Sequence, residues 1–231
     1  MPAGTIALLV VAVLVYFGVA QRVLDRMRLT DRAALGFILA MIIGGFLNVT
    51  LVRVPAELRL NIGGGIVPLV LAGYLMTTAD ERVERWRALV AALVSGVAVY
   101  IAGKIVPPEE QFMVIDPLYV FSAVAGVVGY LAGRSRRSAF VAGTVGIVIA
   151  DVLHYIELLV RRIPGRTWVG GAGAFDATVI AGLLAVVLAE VVGETREKLQ
   201  GGTTKVGRWR GHEPYEKQEV AGRESTGEAK E

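Results

Sequence analysis

The sequence lacks cysteine altogether, and this absence narrows the chemistry open to the chain. Without thiols the protein has no disulfide, no thiolate metal site and no cysteine nucleophile. Histidine is scarce as well: there are two in 231 residues, and only His154 lies within an apolar segment. A metal site in such a segment would therefore have a single imidazole to offer.

The apolar segments lack the polar face that a helix at the surface of a soluble protein needs. Hydrophobic residues make up 54% of the chain, and they come in runs separated by short clusters of arginine. The sequence predicts an all-α fold, a polytopic membrane bundle of about seven transmembrane helices over residues 1–195. The predicted spans are 4–20, 33–52, 62–79, 88–106, 117–133, 139–160 and 169–193.

Residues 196–231 differ from the bundle in composition. From Glu194 to the end, the chain holds eight basic and eight acidic residues and few apolar ones. Such a segment buries too little surface to offset the entropy of ordering it. We predict a disordered tail, which offers a contact surface to a cytoplasmic partner.

Lysine and arginine in the short loops set the predicted orientation. The predicted inner loops carry ten of these residues and the predicted outer loops carry five. The inner loops are 21–32, 80–87 and 134–138, and the outer loops are 53–61, 107–116 and 161–168. We therefore expect a multi-pass protein of the cytoplasmic membrane with its N-terminus outside and its C-terminus inside. The formal net charge of +3 then needs no nucleic-acid partner to explain it.

Two predicted spans begin with glycine clusters. The third starts in "NIGGGIVPLVLAGYLM" and the seventh in "WVGGAGAFDATVIAGLLA". Glycine permits unusual φ values and proline lacks a donor, so both weaken a regular helix at its start. Interrupted helices at matching positions are typical of transporter binding sites, although small residues also serve close packing. The residues concerned are Gly63, Gly64, Gly65, Pro68, Gly170, Gly171 and Gly173.

The two clusters also indicate an internal duplication. Gly63 and Gly170 lie 107 positions apart, and Ala72 and Ala181 lie 109 apart. Spans 1–3 and 5–7 would then form two three-helix units, a parallel repeat about an axis along the membrane normal.

Four polar residues within predicted spans are candidates for a transport or polar site: Asn48, Asp151, His154 and Asp176. Ionisable groups at membrane depth usually face the bundle interior or a wet cavity. Counted from the outer helix ends, both aspartates lie roughly 12–15 Å deep, so they could meet. Three roles stay open: proton or cation handling, a structural polar network, and a metal site. If the acids do not meet, Asp176 is instead a cap for the broken start of the seventh span.

Two enzyme classes fit the sequence poorly. An intramembrane aspartyl protease carries an acid in Gly-x-Gly-Asp, whereas Asp176 follows "GAGAF" two residues too late. Asp151 in "IADVLH" lacks the tyrosine that precedes the other acid of such proteases. A rhomboid-like serine hydrolase needs Gly-x-Ser-Gly, and "LVSG" around Ser95 lacks the first glycine. An intramembrane aspartyl hydrolase is therefore only the third functional hypothesis.

The segments "NIGGGIVPLVLAGYLM", "GRSRRSAF", "IADVLHY" and "GGAGAFDATVIAGLLAVVLAE" carry a family resemblance. Over residues 1–195 the chain resembles a family of uncharacterised bacterial and archaeal membrane proteins, catalogued only as a domain of unknown function. The resemblance implies an integral protein of a prokaryotic cytoplasmic membrane, and it implies no activity.

The leading functional hypothesis is a small carrier or channel-like protein for a proton, a cation or a small polar solute. The alternative is a non-transporting membrane scaffold, sensor or assembly factor. No cofactor is expected. The expected partners are the lipid bilayer and a second copy of the chain in a homo-oligomer.

Overall fold

The computed structural model describes most of the chain between residues 12 and 199. The described residues are 12–13, 16, 24–25, 27–79, 82–105, 117–133, 135–171, 173 and 176–199. The first predicted span, 4–20, therefore lies largely outside the described residues. So does the predicted tail, apart from the backbone of residues 196–199.

Helices account for most of the described residues. Six α-helices have defined bounds there: α1 Asp31–Gly44, α2 Val67–Thr77, α3 Arg82–Ile105, α4 Pro117–Gly133, α5 Arg136–Arg161 and α6 Ala177–Leu199. A π-helical turn, Ile62–Ile66, leads directly into α2. The strands are β1 Asn48–Val52, β2 Glu57–Asn61 and β3 Arg166–Val169.

Two helices in the described part are long and apolar enough to cross a membrane, by length and composition. Over an 18-residue window the mean hydropathy is 2.0 in α3 and 1.8 in α5. Shorter apolar helices are Ile62–Thr77, Pro117–Gly133 and Ala177–Gly193. The mostly helical fold is thus confirmed, whereas the arrangement of seven membrane spans stays a prediction.

Small residues let α5 approach three other helices closely. A Cβ placed on Gly146 would lie 2.5 Å from the hydroxyl oxygen of Ser95 in α3. A Cβ on Gly129 in α4 would lie 2.8 Å from the nitrogen of Gly143. A Cβ on Gly143 would lie 2.7 Å from the carbonyl oxygen of Ala181 in α6. Backbone-to-backbone packing therefore fixes α3, α4 and α6 against α5.

The three strands form one sheet in the order β1-β2-β3. β1 runs antiparallel to β2, with Val49 opposite Leu60. β2 runs parallel to β3, with Leu60 opposite Val169. The chain consequently approaches α2 and α6 from two neighbouring strands that point the same way.

The sheet corrects the position of Asn48. The second predicted span, 33–52, is helical only as far as Gly44, and Asn48 begins β1. The run Asn48–Val52 contains three β-branched residues, which favour a strand once a partner strand is present. Glu57–Asn61 provides that partner, so Asn48 belongs to a strand and not to a helix.

Both predicted helix interruptions have a definite structure. The third predicted span begins as the π-helical turn, and the seventh begins with the last residue of β3 and a loop before Ala177. In that loop Gly170 has a φ of 68° and Gly173 a φ of 69°, a region that favours glycine. A Cβ on Gly64 would lie 2.5 Å from the carbonyl oxygen of Gly170. The two interrupted starts therefore pack directly against each other.

Candidate functional site

Asp176 stands at the start of α6 and is 8% exposed. Its Oδ1 accepts hydrogen bonds from the backbone nitrogen of Thr178 at 3.0 Å and from the Thr178 hydroxyl at 2.6 Å. This is the position and bonding of an N-cap, which satisfies a free donor of the first helical turn. The positive end of the helix dipole adds a favourable field for a carboxylate at this point. Asp176 is thus held by donors that suit its ionised form.

Asp151 lies in α5 and is half-buried. Its carboxyl group is within range of electrostatic repulsion by Asp176. Unlike Asp176, it forms no hydrogen bond with any residue of the described chain. The structure therefore brings the two predicted aspartates together and gives them different surroundings: one is capped and the other lacks a donor.

The packing of α6 on α5 places the two acids within electrostatic range of each other. The hydroxyl of Thr144 in α5 donates to the carbonyl oxygen of Thr178 in α6 at 3.3 Å. Asp151 lies seven residues after Thr144, which is about two helical turns along the same face. Asp176 lies two residues before Thr178. This hydrogen bond fixes α5 against α6 with Asp151 and Asp176 towards the same end of the helix pair.

Helix α4 also holds the start of α6. Ser122 is 1% exposed, and its hydroxyl contacts the carbonyl oxygen of Leu118 at 2.6 Å and that of Ala177 at 3.4 Å. Together with Thr144 it anchors the first turn of α6 to two neighbouring helices. Neither Ser122 nor Thr144 was predicted as a site residue. Their signal in the sequence is weak, because small hydroxyl residues are common in apolar helices that pack closely.

His154 does not join the two aspartates in a buried cluster. It lies three residues after Asp151 in α5 and its side chain is exposed. No group of three or more histidine, aspartate or glutamate side chains suited to a metal ion occurs among the described residues. What the geometry offers is a pair of carboxylates.

Asn48 belongs to a second polar cluster, around Asn61. The amide nitrogen of Asn61 donates to the Asn48 side-chain oxygen and to the Gly45 carbonyl oxygen, both at 2.8 Å. Its amide oxygen accepts from the backbone nitrogen of Gly64, also at 2.8 Å. Asn61 is 1% exposed, so these bonds satisfy a buried side chain completely. Asn48 therefore helps to cap the π-helical turn.

Asn61 was missed by the sequence analysis, although a signal was present. An asparagine directly before a glycine cluster and an apolar helical run is a typical N-cap. The same signal applies to Asp176, which precedes α6. Read together, the two positions mark the two helix starts that the glycines interrupt.

The remaining predicted glycines are also closely packed, each against a different neighbour. Gly63 packs against the backbone of Met41 and Gly45. A Cβ on Gly65 would lie 3.3 Å from the carbonyl oxygen of Val169. Gly171 differs, since a Cβ there would lie 2.8 Å from the ring of Trp168 and not against backbone. Pro68 is buried in the first turn of α2, directly after the π-helical turn.

The fold and the site together define a class: a mostly helical protein whose described part holds two helices long and apolar enough to cross a membrane. Two acids within electrostatic range of each other lie at an interrupted helix start. Residues 23–188 match the family described as DUF1614, protein of unknown function. This match covers more than half of the chain, so the protein belongs to that family, and the resemblance to a domain of unknown function is confirmed. No curated protein and no solved structure matches the chain.

Proposed function

We propose that this protein is an integral membrane protein that carries or conducts a proton or small cation through a site formed by Asp151 and Asp176. The observation that carries the proposal is the unequal pair: Asp176 is capped by Thr178, while Asp151 has no hydrogen-bond donor in the described chain. Two adjacent acids in different surroundings are suited to divide the tasks of holding charge and exchanging a proton.

In this proposal Asp176 is the fixed anion and Asp151 is the exchanging group. The donors of Thr178 and the positive end of the helix dipole both favour a carboxylate at Asp176. Asp151 then faces a negative charge with no donor of its own, so binding a proton or a cation relieves the repulsion between the two carboxyls. Release of the proton or cation to the other side of the membrane would restore the repulsion. This cycle needs only the side chains that the structure brings together.

The placement in a membrane is supported by how the predicted loops assemble. The predicted outer segments 53–61 and 161–168 contribute β2 and most of β3, which pair with each other. The predicted inner segments 80–87 and 134–138 also meet: the Ser135 hydroxyl donates to Glu84 at 2.7 Å, and Arg137 pairs with Glu84 at 3.5 Å. Segments assigned to one side of the membrane thus come together, as expected of a multi-pass protein in either orientation.

A scaffold, sensor or assembly factor is the second candidate function. It is favoured by the close packing of the two glycine segments, in which Gly64 lies against Gly170 and Gly173 without room for a Cβ. A fixed polar network at this point needs no movement and no solute. The two candidates differ in whether Asp151 exchanges its proton with the two aqueous sides.

Flux measurements in proteoliposomes test the proposal. Wild-type protein should dissipate an imposed pH gradient, or admit a monovalent cation, and Asp151→Asn should abolish this flux. Asp176→Asn should reduce it strongly while the protein still folds, because asparagine is also a good N-cap. Glu57→Gln is the control, since Glu57 lies in the sheet, and it should transport normally. Absence of flux in the wild type across a panel of ions and pH gradients would leave the scaffold as the function.

A further inference from the structure

A groove separate from the two aspartates lies between α3 and α5, towards their C-terminal ends. It encloses about 310 Å³, a volume near the lower end for small-molecule sites. One wall is polar and the other is apolar. The lining residues are Tyr100, Leu153, Ile156, Glu157, Val160 and Arg161, and Lys104 is bonded to the Glu157 in the wall.

Counted over the described residues, the polar wall carries a net positive charge. The Oε2 atom of Glu157 accepts from the Tyr100 hydroxyl at 2.9 Å and from Lys104, and its Oε1 pairs with Arg161 at 3.2 Å. One carboxylate therefore serves two cations, which leaves an excess of one positive charge. The side chain of Lys104 is 45% exposed and that of Arg161 is 65% exposed, so both still face outward with donors to spare.

The apolar wall continues from this charged end along α5. Ile156 and Val160 are one turn apart on α5, and they are 47% and 76% exposed. From Leu153 to Arg161 the helix advances about 12 Å. The strip lies on α5, which is long and apolar enough to cross a membrane. A ligand that fits both walls must have an anionic end and an apolar body.

We propose that this groove binds an anionic phospholipid, with its phosphate between Lys104 and Arg161 and an acyl chain along Leu153, Ile156 and Val160. Charge complementarity selects an anionic headgroup over a neutral one, because the cluster has one cation more than it has carboxylates. A soluble anion would leave the apolar strip uncovered. The proposal rests on the membrane placement proposed above, and it does not depend on transport.

Lipid binding can be measured on the full chain purified in detergent, by native mass spectrometry during titration with phosphatidylglycerol or phosphatidylcholine of the same acyl chains. Wild-type protein should retain phosphatidylglycerol at lower concentrations than phosphatidylcholine. Lys104→Gln and Arg161→Gln should each weaken phosphatidylglycerol binding about fivefold, the effect of one basic residue at an anionic headgroup. Phosphatidylcholine binding should not change.

Three controls separate a specific site from general attraction. Arg162→Gln removes a neighbouring charge that neither lines the groove nor pairs with Glu157, and should change the affinity less than about twofold. Lys104→Arg keeps the charge and should retain binding, which distinguishes a lost contact from a lost fold. Asp151→Asn should leave lipid binding unchanged, so a failed flux experiment does not decide this one.

The proposal is overturned by equal affinities for the two lipids, or by glutamine variants that bind phosphatidylglycerol as the wild type does. It is also overturned if glycerol phosphate displaces the lipid at concentrations similar to those of phosphatidylglycerol itself, because the site would then recognise a soluble phosphate.

Discussion

Two parts of this molecule use the same order of elements: β2, a glycine segment and α2 in one, and β3, a glycine segment and α6 in the other. The strands are parallel neighbours, and the glycine segments touch. In each part the side chain of one residue caps the start that the glycines interrupt, Asn61 in the first and Asp176 in the second. The order of elements is shared, whereas the glycine segments differ in conformation, with a π-helical turn in the first and left-handed glycines in the second. The caps differ as well.

The two caps differ in charge and in what surrounds them. Asn61 is neutral, and every donor and acceptor of its side chain is bonded within the fold. Asp176 is an acid, and a second acid, Asp151, lies close enough to repel it. A neutral cap with all its hydrogen bonds made inside the fold, such as Asn61, needs only a structural role to explain it. A charged cap beside a carboxyl without a donor is more than a helix start requires, and it therefore carries the functional proposal.

The largest effect is expected where the two parts touch. Gly64→Leu would drive a side chain into the carbonyl groups of Gly170 and Gly173, and the latter carbonyl is itself bonded to the nitrogen of Asp176. Backbone cannot move aside as a flexible side chain can. We expect a loss of at least about 3 kcal/mol in the free energy of unfolding, the upper end for overpacking. Thermal unfolding in detergent measures it.

Gly73→Ala is the matched control for this experiment, because nothing lies within 4 Å of a Cβ at that position in α2. Alanine there should be neutral, or stabilising by about 0.5–1 kcal/mol, since it replaces a glycine within a helix. Equal behaviour of the two variants would show that the glycine segments do not pack as described.

Exchanging the two caps should give the next largest effect. Asn61→Asp removes the donors to Gly45 and Asn48 and places a buried carboxylate against a carbonyl oxygen. We expect a loss of about 2–3 kcal/mol in stability. Asp176→Asn keeps an acceptor for Thr178 and removes the repulsion with Asp151, so its stability should change by less than about 0.5 kcal/mol.

Denaturation of the two single variants, followed under the same detergent conditions, checks this asymmetry. A destabilised Asp176→Asn protein beside a tolerated Asn61→Asp protein would reverse the assignment of structural and functional caps.

The sequence predicted the helices better than the connections between them. α4 has the bounds of the predicted fifth span, 117–133, because proline and an arginine cluster delimit it. β1 was mistaken for the end of a helix, since five residues rich in valine are as apolar as a membrane span. Its strand character depends on pairing with β2, a contact that hydropathy along the chain does not encode.

The candidate site was also predictable only in part, because composition along the chain reveals some of its features and not others. Acids within apolar runs are conspicuous, so Asp151 and Asp176 could be singled out, and helix depth indicated that they could meet. Their unequal surroundings depend on the cap at Thr178 and on the Thr144 bond between α5 and α6. These two hydrogen-bonding arrangements depend on side-chain geometry, which composition does not reveal.

Substitution of Gly171 should destabilise the fold less than substitution of Gly64, although both residues belong to the predicted glycine clusters. A Cβ at Gly171 would lie against the side chain of Trp168, a residue that is 38% exposed and whose ring can shift, and not against backbone. Gly171→Ala should therefore cost about 1 kcal/mol, the lower end for overpacking. Intrinsic tryptophan fluorescence should report the displaced ring in the folded protein, and an unchanged spectrum would contradict the contact.

The smallest effect is expected from the charges that join β2 to β3. Glu57 accepts from Arg59 at 2.6 Å and from Arg166 on the neighbouring strand at 2.7 Å. These bonds hold the pKa of the Glu57 carboxyl below its ordinary value of 4.5. Because the pKa is lower in the folded protein, the carboxylate stabilises the fold at any pH above the ordinary pKa of 4.5. This stabilisation is lost as the pH falls through the lower pKa of the folded protein. Glu57→Gln should therefore lower the unfolding temperature slightly at about pH 7, and the difference from wild type should shrink towards zero at about pH 3. Parallel thermal unfolding of the two proteins across this range measures the effect. A difference in unfolding temperature that stays constant with pH would mean that Glu57 stabilises the contact between β2 and β3 through its packing and not through its charge.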